Sequence, residues 1–259
     1  MRTLFGRYIG TVTATGIPTP SARLRSALTT ETGHKALASI ARYFHATLEQ
    51  KQHLPRQGPG LIVSNHALLA LDSIVLGALI VRDLGRFPRF LADRMLWKVP
   101  GLQQLLCAIG ALPGDPQAAV QLLRAGELVI VYPGGVDDSL KSSRERYRLQ
   151  WKNRAGFARV AMTAGVPILP VVGLGIDEMY RVFGREHFLG RRIFGSPRYD
   201  LPLAVGAFGT WLPKRATQRY IALPPIDTRG DPERREDVER VRNATFDALE
   251  AQLRVARGE

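Results

Sequence analysis

A single cysteine serves this 259-residue chain. Cys107 alone can form no intrachain disulfide and anchor no cysteine-cluster metal site, which fits a reducing compartment. Its flanks, Leu105, Leu106 and Ala108, predict a buried structural thiol. Long apolar runs are also missing. None reaches the roughly 18 residues that a membrane span needs; the longest candidate, residues 67–81, is shorter and contains Asp72. The first thirty residues hold Gly, Thr, Pro and Arg but no apolar core of a secretory signal. The expectation is a cytoplasmic protein, peripheral to the inner face of a membrane. Acids are scarce as well: 23 Asp and Glu stand against 36 Lys and Arg, a formal charge of +13. Such a surplus favours anionic partners such as an acidic lipid surface or a phosphorylated substrate. Nucleic acid fits the charge, but no zinc finger, RNA-recognition motif or tandem aromatic platform accompanies it. Internal repeats and low-complexity tracts are absent.

Hydrophobic residues make up 45% of the chain, enough for a sizeable core. Residues 1–33 read as a loosely structured arm. Residues 34–50 read as a helix with Leu37, Ile40, Ala41, Phe44 and Leu48 near one face. Two readings of that helix are open: packing on the domain, or resting on anionic lipid. From Gly60 onward, short apolar runs alternate with helical patterns. Strands are expected at 61–64, 89–92, 128–132, 168–172 and 220–223. Helices are expected at 71–81, 102–109, 116–125 and 157–164, and from Asp231 onward, where an N-cap, a proline and an acid follow one another. Residues 181–216, rich in Arg, Gly and Pro, read as long loops with short helical pieces. The alternation predicts an α/β fold with a mostly parallel central sheet flanked by helices. The expected division is an arm and amphipathic helix over 1–55 and one α/β domain over 56–259.

Three features carry candidate chemistry. First, a strand ends at Ser64-Asn65-His66, and Asp72 follows six positions later. A strand-end histidine faces the crevice of an α/β sheet, and a carboxylate beside it would set its tautomer, as a general base needs. On a straight helix six residues turn about 600°, so the two meet only if His66 stays in the turn before the helix. The alternative is a turn histidine, with Asp72 complementing the helix dipole. Second, Tyr132-Pro133-Gly134-Gly135 follows the strand at 128–132. Adjacent glycines there let a ligand approach backbone N–H groups. Third, residues 137–159 include Lys141, Arg144, Arg146, Lys152, Arg154 and Arg159. They read either as a solvated basic face or as a patch for phosphates and acidic headgroups.

The order of these parts resembles the glycerolipid acyltransferase superfamily (1-acylglycerol-3-phosphate acyltransferase-like). Asn65-His66 comes first, then 126–135 with Pro-Gly-Gly, then 151–161, then Gly165-Val166-Pro167-Ile168. The nearest branch is that of diacylglycerol-acyltransferase-like and phytyl-ester-synthase-like proteins. The resemblance spans roughly residues 55–225. It implies transfer of a fatty acyl group from acyl-CoA, as substrate, to a lipid alcohol, with no metal or other cofactor. His66 then matches the catalytic base and Asp72 its partner. Asn65, Arg94, Tyr132, Pro133, Gly134, Gly135 and Asp138 match substrate-site positions. Arg144, Arg146, Lys152 and Arg154 are candidates for acyl-CoA phosphates or headgroups. Two departures stand out. Five residues, 67–71, separate His66 from Asp72, where most of the superfamily has four. The arginine that contacts an acceptor phosphate in phosphate-acceptor members has no counterpart in Gly134-Gly135-Val136-Asp137. A neutral alcohol acceptor follows, with Arg144 or Arg146 as possible replacement charges. Competing readings are a lysophosphatidic acid acyltransferase, an acyl thioesterase or lipase, and a non-enzymatic basic lipid- or nucleic-acid-binding protein. The dyad should share a crevice with the glycine turn, beside an apolar channel for the acyl chain.

Overall fold

A computed structural model describes residues 26–27, 30–93, 96–98, 106, 110–186 and 201–259. The expectations for Cys107 and Arg94, for most of the arm, and for nearly all of the helix at 102–109 lie outside them.

The described chain runs through α1 (Glu31–Tyr43), β1 (Thr47–Glu49), β2 (Gly60–Ser64), α2 (Leu71–Leu84), β3 (Arg89–Ala92) and β4 (Ala111–Pro113). Next come α3 (Pro116–Arg124), β5 (Leu128–Val131), α4 (Val136–Ser139), α5 (Gly156–Ala164) and β6 (Ile168–Leu174). The chain closes with β7 (Arg181–Glu186), β8 (Leu201–Val205), β9 (Arg219–Ala222) and α6 (Arg235–Arg257). A seven-stranded sheet in the order β1-β9-β6-β2-β5-β3-β4 forms the centre. Its five strands from β6 to β4 run parallel; β9 is antiparallel to β6, and β1 follows β9. The α/β class with a mostly parallel sheet is therefore correct.

Helices cover both faces, so the middle strands are apolar throughout rather than alternating. Along β2, Ile62 faces the layer of α1 and α2, while Leu61 and Val63 face α3, α5 and α6. In β5 the register is complementary: Leu128 and Ile130 face the first layer and Val129 the second. This is the two-residue period of a strand. All six side chains are fully buried.

Three expectations need correction. The first helix stops at Tyr43 instead of reaching residue 50. His45 turns into the left-handed region at φ 44°, and Thr47 then donates to the Gln218 carbonyl, drawing 47–49 into the sheet beside β9. Its apolar side packs inward, with Leu37 against Ala78 and Val81 of α2. Within 181–216 the described residues include an antiparallel pair, β7 and β8, that was not expected, alongside the short helical piece at Ala207–Gly209 that was. The two strands are far apart in sequence, so their pairing leaves no local signal. The last helix begins at Arg235, not Asp231. The Asp231 carboxylate accepts from Glu233 N–H and its own N–H donates to Asp237, which closes a turn ahead of the helix.

Candidate active site

Parallel strands deliver their C-terminal ends to one edge, where the loops that follow can build a crevice. β2, β5 and β6 are neighbours in the sheet, so Asn65-His66, Tyr132-Pro133-Gly134-Gly135 and 173–177 emerge side by side. Asn65 fixes the edge. Its amide donates to Gly173 O and accepts from Gly173 N–H, each at 2.8 Å, extending the β2–β6 ladder by a side chain. Both of its polar groups are thereby occupied and it is buried, so Asn65 acts as a backbone strut rather than the expected substrate contact.

His66 sits next in the chain. Its Nδ1 lies 2.9 Å from Asp72 Oδ2, and Ala67 N–H donates to the other carboxylate oxygen at 3.3 Å. An ionised carboxylate accepts only, so Nδ1 carries the proton and Nε2 is left as the basic nitrogen. Asp72 occupies the first turn of α2, where the helix dipole also favours its charge. The contact with His66 and the place at the helix N-terminus thus coexist. The five-residue spacing is absorbed by backbone conformation. Leu69 and Ala70 take φ of 61° and 54°, two successive left-handed residues without glycine. That tight curl brings the carboxylate back under the imidazole, at roughly 1–2 kcal/mol of backbone cost per residue.

Tyr132 completes the cradle. Its ring stacks on His66 with centroids 4.1 Å apart and planes 21° from parallel. Its hydroxyl is buried near Asp72 and Ser73. Burial, reinforced by the Asp72 charge, pushes the phenol well above its ordinary pKa.

The two glycines of the following turn are needed for different reasons. A Cβ on Gly134 would fall 2.1 Å from the Asp138 carboxyl carbon, and Gly135 has φ 51°. The Gly135 N–H closes onto Tyr132 O at 3.0 Å and is not available to a ligand. Arg154 reaches over this turn and donates to the carbonyls of Pro133 and Gly134 and to Asp137. Lys152 pairs with the same Asp137 at 3.1 Å. Arg154, expected as a phosphate contact, therefore braces the Pro-Gly-Gly turn, while Lys152 stays exposed beside Asp137. Burial alone would raise the Asp137 carboxyl, but the two cations outweigh it and hold it below its ordinary value.

A buried ionic group lies beneath the histidine. Lys141 Nζ donates to His66 O at 3.0 Å and pairs with Asp177 at 3.0 Å. Lysine and aspartate are only 4% and 6% exposed. Burial opposes the lysine charge, yet Asp177 and Asp138 prevail and raise its pKa. Asp138 is fully buried and accepts from Gln150 N–H through one oxygen, while the other has no hydrogen-bond partner among the described residues. Burial pushes this carboxyl up despite the nearby lysine. Asp138 is part of the floor beneath the dyad, not an exposed substrate contact. Lys141 and Asp177 were missed as individuals: the lysine lies in a run that reads as basic surface, and the aspartate follows β6 with no motif around it.

Next to Lys141 lies a narrow cleft of about 10 Å³, lined also by Leu68, Arg146, Ile176, Tyr180 and Val182. It is small and mixed in character. Arg146 lines it with a buried Nε that has no hydrogen-bond partner among the described residues. Arg144 is exposed.

Residues 45–173 match the protein-family model described as Acyltransferase, a span that holds every element of this cradle except Asp177. The chain belongs to the glycerolipid acyltransferase superfamily. Among curated proteins, it is 36% identical over 157 residues to a Homo sapiens protein named "DGAT1/2-independent enzyme synthesizing storage lipids", covering 61% of this chain and 48% of that one. The Bos taurus protein of the same name is also 36% identical, with 61% and 46% covered. The chain thus spans about half the length of the curated relatives it matches. A solved structure described as the 1-acyl-sn-glycerophosphate (LPA) acyltransferase PlsC from Thermotoga maritima superposes with a TM-score of 0.57. That match is 18% identical and covers 92% of this chain and 87% of the other; it establishes the shared fold of this superfamily member.

Proposed function

We propose that this superfamily member transfers a fatty acyl group from acyl-CoA to the hydroxyl of a neutral lipid alcohol, such as diacylglycerol or a long-chain alcohol. The observation that carries the reading is His66 itself: clamped by Asp72 at Nδ1, stacked on Tyr132, and left with Nε2 as its base. His66 Nε2 takes the acceptor proton as the acceptor oxygen attacks the thioester carbonyl carbon. Asp72 stabilises the imidazolium that forms. The tetrahedral intermediate collapses with cleavage of the C–S bond, and the imidazolium returns the proton to the departing thiolate. An ester and free coenzyme A result. The thioester is already activated, so the scheme invokes no metal or further cofactor.

A neutral acceptor is supported by Asp137 at the place of the phosphate-binding arginine, and by the engagement of Arg154 with the turn. The storage-lipid name of the relatives points the same way. One observation favours a second reading with a phosphate-bearing acceptor: Arg146 lines the cleft with a partnerless Nε. For location, we propose the cytoplasmic surface of an anionic membrane; no described helix is long and apolar enough to cross one.

The test is product analysis by mass spectrometry after incubation with long-chain acyl-CoA and a panel of acceptors: diacylglycerol, hexadecanol, lysophosphatidic acid and water. The expected product is a neutral ester, absent with His66→Ala. Preferential acylation of lysophosphatidic acid, lost in Arg146→Leu, would replace the neutral acceptor with the second reading. Equal release of free fatty acid with and without alcohol would make the protein a hydrolase.

A further inference from the structure

Residues 206–212 form a loop whose apolar side chains face solvent. Phe208 is 97% exposed, Leu212 61% and Trp211 58%. On the preceding strand pair, Phe183 and Leu203 are also exposed. Water alone gives no reason to display three large apolar groups on seven residues.

The loop is built to hold them there. Gly206 N–H donates to Thr210 O, Ala207 N–H to Leu212 O, and Leu212 N–H to the Thr210 hydroxyl. A Cβ on Gly206 would lie 1.8 Å from Leu212 O, so only glycine permits the closure. Phe208 is held at φ 53°, a left-handed conformation unfavourable for a bulky residue. Strain kept by an over-determined hydrogen-bond frame points to function.

The base of the loop is tied to the site. Tyr180 OH donates to Trp211 O at 2.9 Å, and the Tyr180 side chain lines the cleft beside Lys141. Tyr43 OH donates to Pro213 O at 2.8 Å. The loop and the sequence that flanks it are basic. Residues 201–218 contain no acid. Arg181 covers the Phe183 ring, Arg215 covers Tyr43, and Lys214 lies between loop and sheet.

We propose that this loop is the membrane-docking surface: Phe208, Trp211 and Leu212 insert into an anionic bilayer, while Arg181, Lys214 and Arg215 meet its headgroups. Apolar tips with a basic collar match the two components of such binding, apolar burial and attraction to acidic lipid. Aromatic rings suit the interface because they have an apolar body and few rotamers to lose. The amphipathic helix α1 does not compete, since its apolar side is already packed on α2. Docking through this loop sets the mouth of the cleft at the lipid surface, a consequence that rests on the acyl-transfer reading.

The experiment is co-sedimentation with phosphatidylcholine vesicles, pure or containing about one-third phosphatidylglycerol. The wild type should bind the anionic vesicles more tightly, with Trp211 emission shifting to the blue. Phe208→Ser with Trp211→Ser should weaken binding on the order of tenfold or more. Lys214→Gln with Arg215→Gln should erase the preference for anionic vesicles. Melting temperatures should match the wild type, because the altered side chains touch little of the core. Turnover of a short-chain acyl-CoA with a water-soluble alcohol should also be unchanged. Equal vesicle binding by the wild type and the Phe208/Trp211 variant would overturn the proposal. So would a wild-type dimer that this variant converts to monomer, which would assign the loop to contacts between copies. Binding is read without turnover, so a protein that docks but transfers nothing would sink only the acyl-transfer reading.

Discussion

Lys141 Nζ holds the main-chain carbonyl of His66 at 3.0 Å, although the two residues are 75 apart in sequence. Three restraints therefore act on one histidine: a cation on its backbone, a carboxylate on its ring nitrogen, and a phenol ring on its face. Stiffness of this kind is what a proton-transfer group needs, because small misplacements of a reacting atom are expensive.

Removing His66 and removing its partner should differ. His66→Ala should lower acyl transfer by about 10²–10⁴ or more with the fold intact. Asp72→Asn should also lose most activity, since an amide oxygen binds Nδ1–H more weakly and does not offset the imidazolium charge. Tyr132→Phe keeps the stacked ring and should stay within about tenfold of wild type, less than one hydrogen-bonded charge contributes. Single-turnover kinetics with circular dichroism checks all three.

Lys141→Met should destabilise the fold by about 3–5 kcal/mol, because it strands Asp177 and Asp138 without a cation in the interior. Lys141→Met combined with Asp177→Leu should cost less than the sum of the two single changes. Urea denaturation of the four proteins closes the cycle, and strict additivity would show that the pair is not coupled.

Stability should also fall in alkali. Lys141 has a folded-state pKa above its ordinary 10.5, so its contribution is intact below that pH and disappears as pH rises through the folded value. Tyr132 and Tyr220, raised well above 10.0 chiefly by burial, act in the same direction. Denaturation midpoints should be level near neutrality and drop steeply above about pH 10. The drop should be shallower in Lys141→Met.

The curl at Leu69-Ala70 makes a prediction of opposite sign. Ala70→Gly relieves a left-handed strain of about 1–2 kcal/mol and loses about 0.5–1 kcal/mol through a freer unfolded chain. It should therefore be neutral or stabilising by up to about 1.5 kcal/mol. Ala70→Val should destabilise and weaken the His66–Asp72 contact, seen by NMR as a moved or broadened Nδ1–H resonance of His66 at fixed pH.

The glycine turn should tolerate change at neither position. Gly134→Ala drives a methyl into the Asp138 carboxyl and should cost about 1–3 kcal/mol. Adding Asp138→Ser should recover part of that loss by opening space; thermal melting of the single and double variants reads it directly.

Much of this was legible along the chain. The apolar runs at 61–64, 128–132 and 168–172 announce buried parallel strands, because a strand covered on both faces has no polar alternate positions. His66, Asp72 and the Pro-Gly-Gly turn were legible too, each being a polar or glycine interruption at the end of such a run. The pairing of β7 with β8 and the entry of 47–49 into the sheet were not, since hydrogen bonds between distant segments have no local period.

By itself, then, the sequence determined the layered α/β class, the edge at which chemistry gathers, and the histidine there. Local pattern suffices for these, because burial on two faces and strand direction are written residue by residue. Tertiary structure alone decided what each polar residue does. Arg154 and Asn65 became braces, Lys141 became the buried clamp on His66, and Phe208 and Trp211 became exposed tips. A charge or an aromatic ring is the same letter on a surface or in a core. Its role is set by which neighbours desolvate it and which partners lie within hydrogen-bond reach, and those arrive from far along the chain.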